Sequence, residues 1–173
     1  MNLKKLSRDW DRVISHIELG IGIICLVGMV AIVNLNIFYR YFLKNPLHAW
    51  YLDLSLLFNL YMTFFIISYL YRHGQDIAID IIVKRLPERV QTIIELVIQI
   101  AIGVTLFFVL WYAWDWQRFQ WYQMAGGLGI SFTFFSIPYV IASALMLVSN
   151  LKKVWSQITI LLIVFSDKET EKL

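Results

Sequence analysis

Formal charge is missing from four long stretches of this chain. Leu19 to Tyr39, Leu54 to Tyr71 and Leu96 to Trp114 carry none, and neither does Phe119 to Leu151. Of the 173 residues, 60% are hydrophobic, against roughly 45–50% in soluble domains. That excess excludes an ordinary water-soluble fold. Cysteine is nearly absent. Cys25, the one present, lies within an apolar run; it has no companion for an internal disulfide or a metal site and reads as a small buried side chain. The histidines, His16, His48 and His73, form no i,i+3 or i,i+4 pair with another ligand type, which argues against zinc. Neither a Gly-rich phosphate loop nor a nucleophile elbow occurs. Acids deep in the apolar stretches, which an ion or proton relay would require, are missing. So are the paired broken spans of a self-sufficient transporter. These absences leave a scaffold or partner subunit rather than an enzyme or a pump.

What is present is length. A bilayer core takes about 20 apolar residues in a helix, and each uncharged stretch supplies roughly that or more. The first is too long for a signal sequence and has no small-residue cleavage site. The fourth is too long for one crossing. Gly126, Gly127 and Gly129 break it, so the last span should begin near Ile130, with Pro138 inside it. The expected fold is an all-α membrane protein, one integral domain over residues 1–173. Its spans lie at about 17–39, 50–71, 91–114 and 130–151.

Lysine and arginine set the orientation. Lys4, Lys5, Arg8 and Arg12 precede the first span; Arg40 and Lys44 follow it. Arg72, Lys84, Arg85 and Arg89 follow the second, Arg118 the third, and Lys152, Lys153, Lys168 and Lys172 the fourth. Twelve therefore fall on one side and three on the other. Basic loops stay in the cytoplasm, so both termini are expected there. Aromatic residues flank the two outer loops as an interfacial belt would. Two further segments read as amphipathic helices on the membrane surface, at about 3–16 and 76–86; a third interfacial segment, at about 154–166, is too short to cross and lies along the membrane or packs on a neighbour.

Few polar residues remain near the spans. Asp53, Glu95 and Glu18 stand at span starts, where a helix N-terminus favours negative charge. Asn34, Asn36, Asn59 and Gln99 are expected to hydrogen-bond between helices for ~0.6–2 kcal/mol each. His16 and His73 fall at inner span ends. They admit an alternative function, a haem-holding membrane anchor subunit of a redox enzyme; the simpler reading is two interfacial polar side chains.

One segment carries a resemblance. Arg40 and Tyr41 are followed by Asn45 to Leu47, Trp50 and Asp53. Arg72 to Gly74, Ile77, Asp80, and Leu86 with Pro87 come next. In this order and spacing the segment resembles the small membrane subunit of tripartite ATP-independent periplasmic (TRAP) transporters, most of all the separate small subunit of sialic-acid systems. Asp76 stands where that family often has His. The resemblance implies a non-catalytic subunit without cofactor in a bacterial inner membrane. It would brace a large membrane subunit, one to one, and help dock a periplasmic substrate-binding protein. Sodium and substrate would bind the large subunit; the implied cargo is an organic acid, sialic acid first and a C4-dicarboxylate next. The implied partners are these two proteins and the bilayer, with no nucleic acid.

Within that frame, Asp53 is expected to cap the second span and to pair with Arg40 or with a donor on the large subunit, while Trp50 anchors the same corner. A simple cap is the alternative. Asp115, Arg118 and Trp121 are the candidates for docking a partner, since Trp and Arg dominate interface hot spots; the alternative is an aromatic belt. Asp80 completes the set of candidate interface residues.

Overall fold

The computed structural model describes residues 3–44, 49–74 and 88–170, with side chains over 10–44, 49–74 and 90–159. Four helices account for nearly all of it: α1 (Leu3–Phe42), α2 (Trp50–His73), α3 (Glu88–Gln120) and α4 (Thr133–Thr170). Each is long and apolar enough to cross a membrane, so the all-α, four-span architecture that the uncharged stretches require is present.

The helices run further than the apolar stretches do. No proline or glycine interrupts α1 before Gly20, and the helix is continuous from Leu3. The amphipathic segment at its start is therefore continuous with the helix of the first span. The same holds after Leu151, where α4 continues to Thr170. In both places a change in polarity does not end a helix; a breaker or a competing cap does. The other expected surface helix, at 76–86, lies outside the described residues. Where breakers exist they act: α2 ends at Gly74, in the left-handed conformation with φ 64°, whose N–H donates to the last carbonyls of the helix.

Packing follows the order α1–α2–α4–α3, an open row. Gly22 lets α1 and α2 approach closely, since a Cβ there would meet Ile66 Cγ1 at 2.7 Å. The edge helices stay uncovered. In the most apolar window of α3 no residue is buried within the chain, against 33% in α4. Ile100, Val104, Phe107 and Trp111 are all exposed, which leaves this face for lipid or for another protein.

Candidate functional site

Arg72, at the end of α2, organises the end of the bundle where α1 begins. Its Nη2 lies 3.0 Å from Glu18 Oε1 and its Nη1 3.3 Å from Asp11 Oδ1. Ser68 Oγ, one turn earlier, donates to the same Glu18 oxygen at 2.7 Å. Lys152 Nζ of α4 donates to Asp11 Oδ1 at 2.7 Å. Two carboxylates and two cations thus tie three helices together. Glu18 is 1% exposed. The expectation that it rests at a helix N-terminus is corrected: α1 starts at Leu3, so Glu18 lies mid-helix and its charge is met by Arg72 instead. Glu95 is likewise within α3, where Gln91 and Gln157 donate to it at 3.4 Å.

A second polar cluster sits beside the first. Asn150 Nδ2 lies 2.6 Å from Tyr71 Oη, 2.9 Å from Gln99 Oε1 and 3.1 Å from the Gln99 carbonyl. Tyr71 Oη donates to Gln99 Oε1 at 3.0 Å. This joins α2, α3 and α4 through buried groups, and buried polar groups in lipid must find partners within the protein. Gln99 bonds between helices as expected. Asn34 does not; its amide donates to Val30 O of its own helix. Asn150 was not among the expected bridging residues, because it closes an apolar run just before Lys152 and Lys153. The Lys153 ammonium lies 3.9 Å from the centre of the Tyr71 ring.

At the opposite end, Asp53 meets the loop between α3 and α4. Its Oδ2 accepts from the Gly127 N–H at 2.8 Å. The α2 N-cap is Ala49, without a side-chain cap bond, so Asp53 fastens a loop rather than capping its own helix. The pairing with Arg40 is also corrected. The Arg40 guanidinium lies 6.0 Å from the centre of the Tyr41 ring, and no ion pair joins it to Asp53 among the described residues. The loop is held by short backbone bonds, Ala125 N to Ile130 O and Gly129 N to Ala125 O, both 2.8 Å. Ser131 Oγ accepts from Thr133 N at 3.2 Å, at the first turn of α4.

Asp115, Arg118 and Trp121 are exposed at this end, and Trp50 is at the margin of exposure. They do not converge on one site. Asp115 borders a cavity of about 440 Å³ with Tyr112 and Tyr139. Arg118 and Trp121 border another of about 490 Å³ with Trp114. Asp80 and Asp76 lie outside the described residues.

No three His, Cys, Asp or Glu side chains gather as a metal site among the described residues. His16 and His73 line one cavity near Arg72. His73 stacks on Tyr69 at 4.2 Å, and its Nδ1 lies 2.9 Å from the Tyr69 carbonyl. The clusters described are clasps between helices.

The family described as tripartite ATP-independent periplasmic transporters, DctQ component, matches residues 29–160. A Haemophilus influenzae protein whose name describes a TRAP transporter small permease is 25% identical over 139 residues, 80% of this chain and 81% of that one.

Proposed function

The chain belongs to the DctQ component family of TRAP transporters, a non-catalytic component, and from that premise we propose how this small permease subunit works. It braces a large membrane subunit, one to one, in the bacterial inner membrane, with both termini cytoplasmic. The observation that carries this reading is the pair of uncovered edges of the helix row. The interior polar clasps make α1, α2, α4 and α3 one unit, and the apolar α3 face is left for a partner helix. Large apolar surfaces of this kind, on a chain whose long apolar stretches hold no charged residue, suit support rather than transport.

The transported compound is an organic acid moved with sodium, sialic acid in the first place and a C4-dicarboxylate in the second. Support for this comes from the sequence resemblance; sodium and substrate would bind the large subunit. Uptake into proteoliposomes holding both membrane subunits and supplied with the binding protein tests it. Sodium-dependent sialic acid accumulation is expected only with all three proteins. Accumulation without this chain would end the bracing proposal.

The loop end is the proposed docking surface for the periplasmic protein, with Arg118 and Trp121 as its anchors. Arg118→Ala should weaken docking by about fivefold or more, the loss of a hot-spot residue. This would be read as reduced uptake at low binding-protein concentration that recovers at high concentration. Unchanged uptake at every concentration would remove Arg118 from the surface.

A further inference from the structure

One feature without an assigned role lies where α1, α2 and α4 meet. It is an open cavity of about 530 Å³ beside the Arg72 clasp. Arg12, Arg72, Lys152 and Lys153 line it with Asp11; Asp11 is held by Arg72 and Lys152, and Glu18 pairs with Arg72 from behind. Arg72 is nine-tenths buried. Four cations against two carboxylates leave an excess of positive charge at the cavity, which calls for an anion.

The anion has an apolar continuation. Leu19 borders the cavity. Ile23 is one turn further along α1, on the same face, and Val27 one turn beyond that. Ile23 is 50% exposed and Val27 62%. A small soluble anion would have no use for this stripe, whereas an acyl chain would cover it. We infer that this cavity binds the phosphate headgroup of an anionic phospholipid, with an acyl chain laid along the Leu19–Ile23–Val27 face of α1. Basic pockets between spans are suited to such headgroups. The lipid would balance the excess positive charge and cover the open side of the clasp.

The test uses the full chain purified in mixed micelles of phosphatidylethanolamine and phosphatidylglycerol, with retained lipid identified by native mass spectrometry. Preferential retention of phosphatidylglycerol is expected. Arg12 is exposed and has no hydrogen-bond partner or ion pair among those described, so Arg12→Gln removes charge without breaking the clasp. It should reduce that retention about fivefold, while Lys44→Gln at the other end of the bundle should not. Melting temperature, measured alongside, separates lost lipid from lost fold. Equal retention of both lipids, or no effect of Arg12→Gln in a folded protein, would overturn the inference. Displacement of the bound lipid by inorganic phosphate alone would also overturn it, by showing a site for a free anion.

Discussion

Arg72→Met is expected to destabilise the protein by about 3–5 kcal/mol, the usual cost of removing one partner from a buried ion pair. Glu18 is 1% exposed, and without Arg72 its carboxylate keeps only the Ser68 hydroxyl. Its second oxygen already lacks a partner. In a membrane interior water cannot compensate. Thermal unfolding in detergent, followed by size-exclusion chromatography, measures the effect. Two comparisons separate the buried pair from general charge loss. Lys152→Gln should cost about 1 kcal/mol or less, because that pair is largely exposed; its side chains are 50% and 34% accessible. Arg72→Met with Glu18→Gln should regain most of the loss, because a neutral amide replaces the stranded charge. An Arg72→Met protein as stable as the wild type would show that the clasp contributes nothing.

Gly127→Val should open the other end of the bundle. A Cβ at this position would meet Asp53 Oδ2 at 2.7 Å and the Ala49 carbonyl carbon and oxygen at 2.8 Å. Two of these three neighbours are backbone, so the loop must move. Overpacking costs about 1–3 kcal/mol, and losing the bond to the carboxylate adds about 1.5–3 kcal/mol. Displacement of the loop would also disturb the docking surface proposed there. The variant should therefore lose uptake as well as stability. Asp53→Asn is the milder companion, since the side-chain oxygen still accepts from Gly127 while the charge is gone. It should retain most stability, as charge-assisted bonds are about twice as strong as neutral ones. Normal melting and uptake for Gly127→Val would mean that the Asp53–Gly127 contact is not formed in the membrane.

The spans were legible because charge is so costly in lipid that its absence marks them directly. Helix ends were less so. The start of α1 was sought at the polarity change near residue 17, yet backbone hydrogen bonding continues through such a change when no breaker intervenes. That displaced start made Glu18 look like an N-terminal acid. Its true partner, Arg72, is distant in sequence, and no spacing rule links the two. Gly127 falls in the break between α3 and α4, but its close approach to Asp53 depends on how that loop meets the first turn of α2. Asn150 was hidden by its position before two lysines. Arg40 and Asp53 looked like a pair because both flank one loop; the nearer donor proved to be a backbone N–H. The residues that hold the bundle together are thus single polar groups meeting across helices, which periodicity does not reveal.

The central claim is that this chain forms a complex with a large TRAP membrane subunit. The most direct measurement is co-expression of the tagged chain with a large TRAP membrane subunit. Affinity purification in mild detergent and mass determination by light scattering would follow. A stable one-to-one complex is predicted. Recovery of this chain alone, while the large subunit is folded and abundant in the same membranes, would contradict it.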